Sequence, residues 1–67
     1  MISIVVNGKN MSIEKDTNLY ELIEFLKISD KVMAAAVNMN IVKKDEWENY
    51  KLQEGDKVEL LNFVGGG

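Results

Sequence analysis

The segment NLYELIEFLKI is the one long stretch of this chain whose apolar residues recur at helical spacing. Leu19, Leu22, Ile23 and Leu26 fall at i, i+3, i+4 and i+7, which makes a single apolar stripe. Asn18, with Glu21 three residues on, fits a capping box with Asn in the usual Ser or Thr place. The helix is expected to stop near Ile28, because Ser29-Asp30 favours a turn. Phe25 lies off the stripe, where it would cover an edge of the core. One helix can cover only one face of a sheet, so the other apolar segments are expected to form a sheet with one face left over.

Those segments read as strands. In MISIVVNGKNMSIE, Ile2, Ile4 and Val6 alternate with Ser3, Val5 and Asn7, and Met11 and Ile13 alternate with Asn10, Ser12 and Glu14. Asn7-Gly8 between them is a strong hairpin signal, because a type I′ turn needs positive φ at both central positions. KVMAAAVN is a third strand. Its alanines alone would permit helix, but Val32, Val37 and the following NMN turn favour the extended form. Ile41-Val42 is extended, a short helical turn follows around Asp45 to Glu48, and Trp47 is expected to plug one end of the core rather than anchor a surface. Glu54-Gly55-Asp56 turns the chain into a last strand, Val58 to Val64. The order β-β-α-β-(short element)-β predicts an α+β fold: a mixed sheet of four or five strands with one main helix packed on one face.

Composition narrows the chemistry. A chain of 67 residues is one domain at most and buries a modest core. It has no cysteine, which fits a reducing, cytoplasmic setting, and neither a signal peptide nor an apolar run long enough for a membrane span is visible. Without Cys and His there is no thiolate nucleophile, no Ser-His-Asp arrangement and no zinc site, and the acidic residues lack EF-hand spacing. The eight cationic residues are all Lys and the net charge is −3, so no basic face for nucleic acid is expected. Lys43-Lys44, followed at once by Asp45-Glu46, reads as a solvated loop. No bound cofactor or metal is expected, and most of the machinery for any reaction would belong to a partner.

The last strand and the residues after it are the most informative region. Val58, Leu60, Asn62 and Val64 share one face, and Glu59, Leu61 and Phe63 share the other. If Val58 and Leu60 point inward, Leu61 and Phe63 face solvent just before LNFVGGG ends. An exposed Leu-Phe pair suggests a contact surface; the alternative is a Phe63 folded over the sheet edge. Leu61, Phe63 and Val64 are therefore the candidate partner-binding residues. Residues 1–64 would form the domain and residues 65–67 a flexible tail, since glycine loses more freedom on ordering than any other residue. The tail's only reactive group is the carboxylate of Gly67.

These residues together resemble the ThiS family of sulfur carrier proteins of thiamine thiazole synthesis. The resemblance spans the whole chain: the Asn-Gly hairpin, LYELIEFL as the helix, AVNMNIV before a Lys-Asp-Glu-Trp segment, the EGDKVEL turn and strand, and the terminal FVGGG. It implies the β-grasp (ubiquitin-like) fold. It further implies a protein co-substrate rather than an enzyme, whose last glycine is adenylated by an E1-like (ThiF-type) enzyme using ATP. A sulfur-donating enzyme then supplies sulfur, and the resulting thiocarboxylate delivers it to a ThiG-type thiazole synthase. On this chain the reactive residue would be Gly67, with Gly66 as its partner in the motif and Gly65 an additional glycine. Three such residues reach about 10 Å when extended, so the arm could pass a narrow channel while the folded body supplies the binding energy. The small subunit of molybdopterin synthase shares the fold and ending, but its approach to the tail is usually proline-rich, and proline is absent here. A ubiquitin-like modifier and a β-grasp binding module with an inert end are the remaining readings.

Overall fold

In the computed structural model, which describes residues 1–26 and 32–62, Asn7 and Gly8 take φ of 49° and 85°. This is the type I′ geometry that lets strand β1 (Ile2–Val6) fold back onto β2 (Lys9–Ile13) with Val6 opposite Lys9. The right-handed twist of two strands matches such a turn, so the local sequence sets the register of the pair. Helix α1 (Leu19–Phe25) follows. The Asn18 side chain accepts from the Glu21 backbone N–H at 2.7 Å, and the Glu21 carboxylate accepts from Asn18 N–H at 3.1 Å, completing the expected box. Leu19, Leu22 and Ile23 are buried and Leu26 is half-buried. The expected helix end near Ile28 lies outside the described residues.

Strand β3 (Val32–Val37) and β4 (Asn40–Val42) form a second hairpin around Asn38 and Met39, both at positive φ. A 3₁₀ helix (Lys44–Asn49) comes next and buries Trp47 completely, and its indole Nε1–H donates to the Val42 carbonyl at 2.9 Å. That satisfies the one polar atom of a large buried side chain, the condition on which a Trp can plug a core. Lys43, Lys44, Asp45 and Glu46 are all exposed, as a solvated segment should be. Backbone bonds from Leu19 N–H to the Tyr50 carbonyl and from Leu52 N–H to the Thr17 carbonyl tie the return segment to the start of α1.

Strand β5 (Lys57–Asn62) then enters the middle of the sheet. The five strands lie in the order β2-β1-β5-β3-β4, with β5 parallel to β1 and antiparallel to β3. The sheet is thus mixed, with the larger of the two expected strand numbers. Ile4, Val6, Val58, Leu60, Ala35, Val37 and Val42 face α1 and the 3₁₀ helix and form one core with Leu22, Ile23, Trp47 and Leu52. No helix among the described residues is long and apolar enough to cross a membrane.

Candidate functional site

The residues that would carry reactivity, Gly65, Gly66 and Gly67, lie outside the described residues, as do Phe63 and Val64. What the structure places is the strand that leads to them and the surface around it. Turn Glu54-Gly55 starts that strand: Gly55, at φ 85°, donates its N–H to the Ser3 carbonyl at 2.7 Å, and the Glu54 carboxylate accepts from Ser3 N–H at 3.0 Å. Asp56 is the one buried charged residue among those described. Its carboxylate accepts from the Asn38 side-chain amide at 2.9 Å and from Gln53 N–H at 2.8 Å. Asn38 in turn accepts from Lys57 N–H at 3.0 Å through its side-chain oxygen. The start of β5 is thereby fastened to the β1 side by Gly55 and to the β3–β4 turn by Asn38.

At the other end a side chain takes over from a strand. The parallel ladder between β1 and β5 runs through Val5–Lys57 and Val6–Val58, where β1 gives way to its turn. Asn7 donates its N–H to the Val58 carbonyl at 2.9 Å, and its side-chain oxygen accepts from Leu60 N–H at 2.9 Å. The carboxamide stands where the next ladder acceptor would be, so the Leu60 N–H keeps a partner past the end of β1. Sequence reasoning had assigned Asn7 to the turn and missed this second role; the signal lay in the side-chain acceptor of an Asn that the topology brings beside β5.

Alternation decides what β5 shows to solvent. Val58 and Leu60 are buried, as expected for the inward face, and Leu61 is 52% exposed on the face away from α1. Glu59 is exposed beside it. The facing strand supplies small residues: Ala34 pairs with Leu61 and Ala36 with Glu59. A register shift between Val32 and Ala34 makes room for Met33, which is 63% exposed. On the far side Ile41 pairs with Ala36 and is also 63% exposed. Met33, Leu61 and Ile41 are therefore large apolar side chains rising from an alanine-lined floor on the sheet face that no helix covers. Leu61 was expected there. Met33 and Ile41 were not, because an alanine run gives no visible period. Among the described residues no group of acidic side chains could hold a metal ion. On the outer face of α1, away from this surface, Glu24 holds the exposed Tyr20 phenol above its ordinary value.

Residues 4–67 match the ThiS family, so the match includes the final glycines. The sulfur carrier protein ThiS of Bacillus subtilis is 30% identical over 63 residues, covering 92% of this chain and 96% of that protein. A thiazole synthase of Magnetococcus marinus is 30% identical over 66 residues, covering 98% of this chain but 20% of that protein. The crystal structure of the thiamine biosynthesis protein ThiS from Geobacter metallireducens superposes with a TM-score of 0.82 at 28% identity, covering 98% of this chain and all of that one. The fold is that of these neighbours, the ubiquitin-like β-grasp.

Proposed function

The chain belongs to the ThiS family, and on that premise we propose that it carries sulfur for thiamine thiazole synthesis on the carboxyl carbon of Gly67. A carboxylate is a poor acyl donor until one oxygen becomes a good leaving group. In the site of a ThiF-type adenylating enzyme, the Gly67 carboxylate attacks the α-phosphate of ATP, forming an acyl-adenylate and releasing pyrophosphate. Sulfide-level sulfur delivered by a sulfur-donating enzyme then attacks the carbonyl carbon, the bond from that carbon to the phosphate-bearing oxygen breaks, and AMP departs with the oxygen. The product is a thiocarboxylate, which a ThiG-type thiazole synthase consumes. The chain is the co-substrate in each step: residues 1–64 are the body and residues 65–67 the arm, and ATP is bound by the partner.

The observation that carries this reading is the family match running through residue 67, on a chain whose central strand leads directly into those residues. The relative named thiazole synthase supports the choice of consumer, since a homologous segment there belongs to the same polypeptide. Ordering each arm residue costs about 1–2 kcal/mol, so the body has to supply affinity. The patch of Met33, Ile41 and Leu61 is the proposed contact, with Phe63 and Val64, which follow in sequence, as the further candidate residues. Intact-mass measurement tests the reading. After incubation with the adenylating enzyme, ATP and a sulfur source, the carrier should gain the mass difference between sulfur and oxygen. Recovery of unchanged carrier, alongside a B. subtilis ThiS control that is converted, would overturn it.

A further inference from the structure

Strand β2 is an edge of the sheet, and its free side borders a groove that the carrier chemistry does not use. In a two-residue hairpin the closing pair exchanges both backbone hydrogen bonds and pairs alternate thereafter. Val6–Lys9, Ile4–Met11 and Ile2–Ile13 are then the bonded pairs, and the backbone groups of Asn10 and Ser12 point outward from the sheet. Beside this edge lies a groove of about 330 Å³. Ile13 and Leu22 line its buried side and Met1 and Phe25 its open side, and its polar lining includes Glu14 and Glu21. Phe25, which the sequence suggested would cover the core, is 72% exposed here. No lysine side chain lines the groove among the described residues.

Three features coincide: unpaired strand groups, an apolar trough with an exposed aromatic wall, and two carboxylates. We propose that this edge is a second docking site, for an extended segment of another protein that adds to the sheet as a sixth strand. Its backbone would bond to Asn10 and Ser12. Side chains at alternate positions would fall on the groove side, so the segment carries Val-sized apolar residues two apart. A flanking Lys or Arg answers Glu14 and Glu21; charge complementarity therefore favours a basic segment over an acidic one or a second copy of this chain, whose net charge is −3. The groove lies on the helix side of the sheet, by the start of β1. Because β1 and β5 run parallel, the chain leaves β5 at the opposite end. An occupant would leave the open face and the tail free, so a carrier could stay tethered while its tail changes partners.

The proposal stands apart from the sulfur-carrier reading, and its test needs no enzyme. The probe is an acetylated, amidated peptide of sequence Lys-Val-Thr-Val-Thr-Lys, titrated into the full chain labelled with ¹⁵N. Expected are amide shifts at Asn10, Ser12, Glu14 and Phe25 with none at Leu61, and slowed hydrogen exchange at Asn10 and Ser12. The same peptide with Glu for both Lys should bind about tenfold more weakly or less, and Phe25→Ala and Glu14→Lys should each weaken the Lys peptide. Glu14→Lys removes no apolar contact, so it reads out the charge even if Phe25→Ala perturbs the fold. No shifts up to about 2 mM peptide, equal binding of the Glu peptide, or shifts centred on Leu61 would each overturn the proposal.

Discussion

Asn7 joins two jobs that usually fall to different residues. Its positive φ makes the hairpin turn, and its carboxamide satisfies Leu60 N–H on the strand leading to the tail. The two can be separated by substitution. Asn7→Asp keeps the acceptor and tolerates the turn, so stability should change little. Asn7→Gly keeps the turn and orphans a part-buried donor, which costs about 1–3 kcal/mol. Asn7→Ala loses both and adds the left-handed penalty of about 1–2 kcal/mol. Urea unfolding of the three variants should rank them in that order; equal losses for Asp and Gly would show that the Leu60 bond contributes nothing. Met39 offers the converse case. It holds φ of 72° while 89% exposed, so its side chain returns little for the strain. Met39→Gly should raise stability, by a few tenths to about 1 kcal/mol once glycine's greater unfolded-state freedom is counted. Tyr20 gives a pH signature. Glu24 favours the neutral phenol in the folded state, so the contribution is complete below the ordinary phenol range and fades as pH rises through the raised folded value. Glu24→Gln should lower the pH at which Tyr20 ionises, followed by ultraviolet absorbance.

At the scale of elements, β5 is where fold and function meet, and its two faces can be tested against each other. Leu61→Glu replaces a half-exposed side chain on the uncovered face, so unfolding free energy should stay within about 0.5 kcal/mol of the parent. Affinity for the adenylating enzyme should fall by about 2 kcal/mol or more if Leu61 is central to the contact. Leu60→Ala should do the reverse, costing about 2–5 kcal/mol of stability from the core side. A Leu61→Glu variant that unfolds while Leu60→Ala does not would mean that the strand faces are exchanged. The same strand shows what could be read from sequence. The first hairpin, the capped helix, the Trp47 plug and the inward Val58 and Leu60 were legible because each is set by local periodicity or by turn chemistry within a few residues. The β3 bulge was not, because Met33 is extruded only relative to the register of a strand nearly thirty positions away. The second hairpin's turn was legible at NMN, although its left-handed residues, Asn38 and Met39, lack the glycine that usually marks such a site. Two of the three residues of the uncovered patch stayed hidden because strand pairing places them: Met33 stands at the bulge, and Ile41 joins the patch through its pairing with Ala36.

For the molecule as a whole, the division of labour follows from size. A domain this small has little stability to spare and no room for an internal active site. Its core is built from residues between Ile4 and Leu60, enclosed by α1, the 3₁₀ helix and the inner sheet face. The proposed chemistry lies beyond that core, on a carboxylate that the body only has to deliver. Folding and reactivity should therefore be separable by a cut near the end of the chain. Deleting Gly66 and Gly67 leaves the described core whole, and glycines carry no side chain to bury, so the thermal midpoint should match the parent within about 2 °C, less than a loss of 1 kcal/mol produces in a domain this small. With the adenylating enzyme present, the same variant should support no ATP–pyrophosphate exchange, because the carboxylate that attacks the α-phosphate is withdrawn by two residues. Its body keeps Met33, Ile41 and Leu61, so it should still compete with the full chain for the enzyme, more weakly by whatever the arm contributes. Retained exchange would place the reactive group elsewhere, and a large fall in midpoint would mean that the glycines belong to the fold. Lost exchange with intact competition is the result that a carrier with a separate arm requires.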